Sequence, residues 1–196
     1  MSKSIFIIGQ SGSGKDTLAA SLIEYLGGES KVLYISTGEE LRKFTKGEYL
    51  TAKLAKSNNE KGHIAPWFVI VGCWFRKLSE EFTGEQIMLW NGTPRSAKEF
   101  EILSQMIEFY GRHADMIHLQ VPDEECLKRI TDRQNAIGRE ETKTEQSIRN
   151  KLQFYYDKVL PAIELAKTDQ NFTVHEIDGA GSKEEVFERV KKALSI

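Results

Sequence analysis

Residues 9–17 read Gly-Gln-Ser-Gly-Ser-Gly-Lys-Asp-Thr, and they lie between an apolar run at 5–8 and an amphipathic stretch at 15–26. That order demands a strand, a tight glycine-rich turn and a helix. The three glycines let the backbone curl until successive N–H groups face one anion, and the helix N-terminus adds its partial positive charge. Lys15 then reaches the outer phosphates of a bound triphosphate. Gly12, Ser13, Gly14, Lys15, Asp16 and Thr17 are therefore the candidate triphosphate contacts. Asp16 stands where a serine or threonine usually follows the lysine, and Thr17 comes one residue later. The loop thus specifies phosphate more firmly than metal geometry.

The rest of the chain repeats the same unit. Short apolar runs at 5–8, 32–35, 87–90, 116–121 and 173–177 alternate with longer amphipathic stretches. This alternation predicts an α/β fold with a parallel five-stranded sheet flanked by helices. Leu18, Leu22, Ile23 and Leu26 form one helical stripe, and Ile148, Leu152, Tyr155 and Val159 form another. Ser36-x-x-Glu39, Ser96-x-x-Glu99 and Ser182-x-x-Glu185 each have the form of a capping box at a helix start. No Pro/Gly/Ser linker divides the sequence, so residues 1–196 are expected to form one domain.

Composition narrows the partners. Lys and Arg number 27 against 29 Asp and Glu, a net charge of -2, which argues against a nucleic acid polymer or an anionic membrane surface. The longest apolar stretch, 66–75, is too short to cross a bilayer. Cys73 and Cys126 form neither a disulfide framework nor a zinc spacing, so a reducing cytoplasm is expected. His63, His113, His118 and His175 are scattered without ligand spacing, and Trp67, Trp74 and Phe75 read as core residues of an apolar helix.

A triphosphate loop alone does not name a reaction. Further segments do more: Ser36-Thr37-Gly38-Glu39-Glu40-Leu41-Arg42, Gly62-His63-Ile64-Ala65-Pro66, and Asn91-Gly92-Thr93-Pro94-Arg95, with Arg129, Arg133 and Arg139 beyond them. Arg42 and Arg95 lie just past the C-terminal ends of strands, where open α/β sheets bind ligands. In order and spacing these segments resemble the nucleoside monophosphate kinases, and within them the adenylate kinase family, from residue 5 to about residue 179.

The resemblance implies the P-loop NTPase and nucleoside monophosphate kinase fold, with a monophosphate-binding lobe near 36–65 and a short, zinc-free lid near 129–141. It implies transfer of the γ-phosphoryl group of ATP to a nucleoside monophosphate, with AMP as the leading acceptor. Lys15, Arg95, Arg133, Arg139 and Lys151 would act on the transferring group, and Arg129 would stack on the ATP adenine. Thr37, Gly38, Arg42, Ile64, Gly92, Arg95 and Glu99 would bind the monophosphate. Mg2+ would be held mainly through the ATP phosphates and water, with Asn91 at the metal position. The expected partners are small-molecule nucleotides alone, and a monomer is expected.

Several positions depart from the family pattern. Asn91 replaces an aspartate, which is expected to weaken magnesium binding, and Lys151 replaces an arginine, exchanging a planar fork for a point charge. Glu140 and Glu141 lengthen a pair of aspartates without changing charge. Glu99 replaces a glutamine that reads adenine; a carboxylate can only accept, which suits the two donors of guanine better. Glu99 also suits a purely capping role. Two alternatives therefore stand beside AMP: GMP or a deoxynucleotide as acceptor, and a slow nucleotide-binding sensor or assembly protein.

Overall fold

The computed structural model describes residues 3–60, 65–137 and 145–196. Five strands pair in parallel: β1 (Lys3–Gly9), β2 (Val32–Ser36), β3 (Ile87–Asn91), β4 (His113–Gln120) and β5 (Phe172–Asp178), in the spatial order β2-β3-β1-β4-β5. β1, the most apolar run, occupies the centre. Its side chains alternate between faces, Phe6 and Ile8 to one layer and Ile5 and Ile7 to the other, all buried. A parallel sheet covered on both sides requires such unbroken apolar strands, because each face must meet helices.

One layer holds α1 (Lys15–Tyr25) and α9 (Lys183–Leu194), which pack Leu18, Leu22, Val190 and Leu194 under β1 and β4. The other holds α2 (Thr37–Phe44), α3 (Leu50–Glu60), α4 (Trp67–Glu81), α5 (Ala97–Phe109) and α8 (Leu160–Thr168). At its centre Phe6 stacks on Trp90 with 5.4 Å between ring centroids, and Trp74 meets Trp90 edge-on at 5.4 Å. α6 (Asp123–Ile137) and α7 (Glu145–Phe154) follow β4, and a π-helical turn, Tyr155–Val159, joins α7 to α8. Among the described residues no helix is long and apolar enough to cross a membrane.

Two expectations change in detail. β4 begins at His113, before its apolar run, because Lys3 of β1 pairs with His113 and Asp115 of β4 pairs with Thr173 of β5. The backbone ladder extends the strand past the point where apolar alternation reveals it. Of the three aromatic residues of α4 expected in the core, only Trp74 is buried, at 1% exposure, whereas Trp67 and Phe75 are 47% and 57% exposed. Val69, Ile70, Cys73, Trp74 and Leu78 form the buried stripe, and Trp67, Phe68 and Phe75 lie outside it.

Candidate active site

The C-terminal edge of the sheet opens into a cleft of about 1090 Å3. Strand register decides which side chains meet there. Ser36 at the end of β2 pairs with Asn91 at the end of β3, and Asn91 in turn pairs with Ile7, two residues before the glycine loop begins.

The loop itself is built as its sequence requires. Ser13 N–H donates to Gln10 C=O at 3.2 Å, and Gly14 serves as the N-cap of α1 without a side-chain cap. By contrast, α2, α5 and α9 receive Ser36, Ser96 and Ser182 hydroxyls on their first-turn N–H groups. The first turn of α1 is thus left for an external acceptor, and residues 14–17 line the cleft. Lys15 Nζ curls over the loop, donating to the carbonyls of Gly9 at 2.9 Å and Gln10 at 2.5 Å. Gly12 packs on α6 so closely that a Cβ would come within 2.5 Å of Cys126 C=O, at a φ of 87° that side chains avoid. The loop therefore rests on the helix that carries Arg129. That arginine pairs with Glu125 at 2.8 Å and reaches Gly179 C=O at 3.5 Å, beside Gly14.

Across the cleft Ser36, Gly38, Leu41 and Arg42 come from the β2–α2 junction, and Gly92, Pro94 and Arg95 from the β3–α5 loop. Their two guanidinium groups converge on Gly38. A Cβ there would begin 3.3 Å from Arg42 Nη1 and 3.6 Å from Arg95 Nη2, so a larger side chain would crowd the Arg42 guanidinium, while glycine leaves the space between the two open. Arg95 Nε–H is held by Gly92 C=O at 3.1 Å. Thr37 lies under this wall, fully buried, its hydroxyl 2.7 Å from that of Thr93.

Glu99 stands behind the cleft wall, not on it. It is 1% exposed; one oxygen accepts from Trp74 Nε1–H at 3.1 Å and Thr93 Oγ1–H at 2.7 Å, the other from Arg95 N–H at 2.5 Å. Its carboxyl oxygens point to the residue before the N-cap, so Ser96 caps α5 without the reciprocal half of a capping box. Burial pushes its pKa above the ordinary value, against the lowering effect of those hydrogen bonds. Only Ser182 and Glu185 complete the reciprocal box among the three serine caps described.

At the end of β3, Asn91 is 3% exposed and its Nδ2 donates to Asp16 Oδ1 at 3.0 Å and to the Tyr34 hydroxyl at 2.8 Å. Among the described residues no group of three or more His, Cys, Asp or Glu could hold a metal alone. What the cleft offers is a set of hard oxygens at the loop, Asn91 Oδ1 being buried without a hydrogen-bond partner. Magnesium keeps several waters and leans on substrate phosphates, so this donor set fits it.

The far wall comes from α7 and the π-helical turn: Lys151, Phe154, Tyr155 and Val159 line it. Tyr155 lies 2.6 Å from His118 Nε2, and burial pushes its phenol up to about 12 while pulling the His118 imidazole down, so both are neutral near pH 7. Gln10 and Tyr156 both donate to Asp123 Oδ1, at 2.8 and 2.7 Å, tying the loop to α6 and the π-helical turn. Ile64 and Arg139 lie outside the described residues, and Arg133 lies on α6 four residues beyond Arg129. Sequence reasoning missed Tyr34, whose hydroxyl accepts from Asn91, and Asn59 and Tyr155, which line the cleft. Tyr34 and Tyr155 belong to apolar stripes, and Asn59 to a polar helix, so no motif singles them out.

Comparison with known proteins agrees with this geometry. The sequence model described as adenylate kinase matches residues 7–171, from within β1 to the residue before β5. The adenylate kinase of Parabacteroides distasonis is 30% identical over 192 residues, 97% of each chain. That of Leptospira biflexa is 30% identical over 193 residues, 98% of this chain and 100% of the relative. That of Xanthomonas oryzae pv. oryzae is 31% identical over 192 residues, 97% of this chain and 98% of the relative. With the match spanning the central strand, the phosphate loop and the converging arginines, the chain belongs to the adenylate kinase family.

Proposed function

We propose that this chain transfers the γ-phosphoryl group of ATP to AMP, yielding two ADP. The observation that carries the reading is a single cleft with two anion-binding walls, the Lys15 loop on one side and the Arg42–Arg95 pair on the other. One cleft with one triphosphate site would suit many nucleotide-binding proteins; a second cationic wall facing it calls for a second phosphate.

In the reaction an oxygen of the AMP phosphate attacks the γ-phosphorus, and the bond from that phosphorus to the β–γ bridging oxygen breaks, releasing ADP. No side-chain nucleophile is needed, since positioning and electrostatic stabilisation carry phosphoryl transfer. Gly12, Ser13, Gly14, Asp16 and Thr17 form the triphosphate cradle, and Lys15 leaves the loop carbonyls to meet the outer phosphates. Gly38, Arg42, Gly92 and Arg95 hold the acceptor phosphate, with Thr37 supporting them from beneath through Thr93, and Ile64 is assigned to the acceptor by the family resemblance. Arg133, Arg139 and Lys151 meet the charge that develops on the transferring group, and Arg129 covers the ATP base. Mg2+ supplies charge neutralisation across the phosphate oxygens, and Asn91 and Thr17 would hold it through water. Two buried free thiols, Cys73 and Cys126, suit a reducing cytoplasm, and the reading requires only one chain.

AMP is favoured as acceptor on two grounds. The relatives are named adenylate kinases. Glu99, whose carboxylate would favour guanine, has its oxygens engaged by Trp74, Thr93 and Arg95. A coupled assay with ATP, Mg2+ and a panel of AMP, GMP, CMP and dAMP tests the reading. The expected order places AMP first in kcat/KM; a preference for GMP, or tight ATP binding without turnover of any acceptor, would overturn it.

A further inference from the structure

Asp16 and Asn91 are 75 positions apart in sequence and meet beside the phosphate loop, Asn91 Nδ2 donating to Asp16 Oδ1 at 3.0 Å. A carboxylate only accepts hydrogen bonds, so this contact decides which end of the amide faces Asp16. The same amide nitrogen also donates to the Tyr34 hydroxyl, at 2.8 Å. Oδ1 is the end left over, and it is buried with no hydrogen-bond partner among the described residues. Buried oxygens are almost always paired, so an orphan at the rim of a cleft marks the place of a ligand or its water. Asp16, Thr17 and Asn91 all line that cleft.

We propose that Asp16 is the charged residue of the magnesium site, its carboxylate on the first turn of α1 supplying the negative charge that the neutral Asn91 lacks. This rests on the reading of the chain as an ATP-dependent kinase. Magnesium bound to nucleotide phosphates is commonly met by one or two carboxylates, largely through its retained waters. Here the strand position offers a neutral amide oxygen, and the carboxylate comes instead from the loop, next to Thr17. The pair has one carboxylate, which accepts from the Asn91 amide N–H, and one neutral amide oxygen left over, and the hydrogen bond orients both side chains. Two carboxylates in the same places would repel, and one of them would take up a proton. The weaker magnesium binding expected from Asn91 alone is thereby offset, and Asn91→Asp by itself becomes a harmful change.

The position of Asp16 makes a prediction of opposite sign for metal-free and metal-loaded nucleotide. Beside a triphosphate without metal its charge is repulsive; beside the metal it is attractive. The test uses the full chain, the β,γ-imido analogue of ATP, and Mn2+ as a spectroscopic substitute whose free concentration is read by electron paramagnetic resonance. Nucleotide affinity in excess EDTA is measured in parallel. Asp16→Asn should weaken Mn2+ binding to the nucleotide complex by about tenfold, or 1.4 kcal/mol, while metal-free nucleotide binds as well or more tightly. Asn91→Asp alone should not improve metal affinity. The exchanged variant, Asp16→Asn with Asn91→Asp, should recover it to within about threefold of the parent.

If Asp16→Asn leaves metal affinity unchanged, or weakens metal-free and metal-loaded nucleotide alike, Asp16 only anchors Asn91 and the proposal fails. Failure of the exchanged variant to recover metal affinity, when its unfolding temperature matches the parent's, also defeats it. A parent chain that binds no ATP analogue overturns the kinase reading itself. Binding that is tight but indifferent to metal overturns only the role given to Asp16.

Discussion

Single side chains divide into those that meet the ligand and those that hold them. Lys15 belongs to the first kind: its ammonium donates to the Gly9 and Gln10 carbonyls at the loop, so its removal takes away the cation held there. Lys15→Ala should keep the melting temperature within a few degrees while lowering kcat by at least about a hundredfold, the scale of a lost transition-state contact. A folded variant with undiminished turnover would remove the loop from the mechanism. Glu99 belongs to the second kind. In Glu99→Gln an amide can no longer accept from Trp74, Thr93 and Arg95 together, and one buried donor is left facing an NH2 group. That costs about 1–3 kcal/mol, so thermal unfolding should move several degrees lower while the AMP to GMP ratio of kcat/KM stays constant. A ratio that shifts toward AMP would return Glu99 to the base site. The pH dependence has a definite sign. Because burial raises the Glu99 pKa, the folded chain holds the proton over a range where the unfolded chain has released it. Its stabilising contribution is fully present below the ordinary value of 4.5 and falls as pH rises through the raised one. The stability gap between parent and Glu99→Gln should therefore widen on acidification from about pH 7; parallel pH profiles would contradict the burial argument.

Elements matter through their junctions. The loop before α1 is shaped by α6 as much as by its own glycines, since Gly12 touches the Cys126 carbonyl and Gln10 binds Asp123. Gly12→Ala brings a Cβ against backbone at a φ of 87°, and neither partner can move freely. Unfolding should shift by about 1–3 kcal/mol for the strained conformation, and nucleotide affinity should fall with it. Binding retained at the parent level would show that the loop adapts without α6. The strands were legible in the sequence because burial on both faces demands uninterrupted apolar runs, and β1, β2 and β3 carry them nearly end to end, whereas β5, at the sheet edge, mixes apolar and polar residues. The start of β4 was not, because His113, Ala114 and Asp115 are held by pairing with β1 and β5. All three serine caps were legible, because the spacing of Ser and Glu reflects local geometry; whether the glutamate reciprocates was not, and at Glu99 a buried tryptophan and threonine took the carboxylate instead.

At the scale of the molecule the two walls of the cleft come from separate chain segments, the loop after β1 and the segments after β2 and β3, so one ligand that spans both should stabilise the chain more than either substrate alone. Two adenosines joined through five phosphates are such a ligand. At equal free concentration it should raise the melting temperature beyond the larger of the shifts produced by an ATP analogue or AMP, because its lower Kd enters a stabilisation that grows with the logarithm of concentration over Kd. A shift no larger than that of the ATP analogue would mean that the Arg42–Arg95 wall does not bind the second nucleotide.

The sequence by itself determined the strand order along the chain, the phosphate loop and the residue types of both cationic walls, since each is a local pattern: an apolar run, a glycine spacing, an arginine just past a strand. Only the tertiary structure decided what those residues face. Glu99 is four positions from Arg95 and reads equally as cap or base contact, until Trp74 and Thr93 close around it. Asp16 and Asn91 look like two separate departures from a family pattern, and only parallel pairing of β1 with β3 brings the strand end to the loop, where the two side chains share one hydrogen bond. Local sequence specifies what a residue can donate, accept or carry; the sheet register decides with whom.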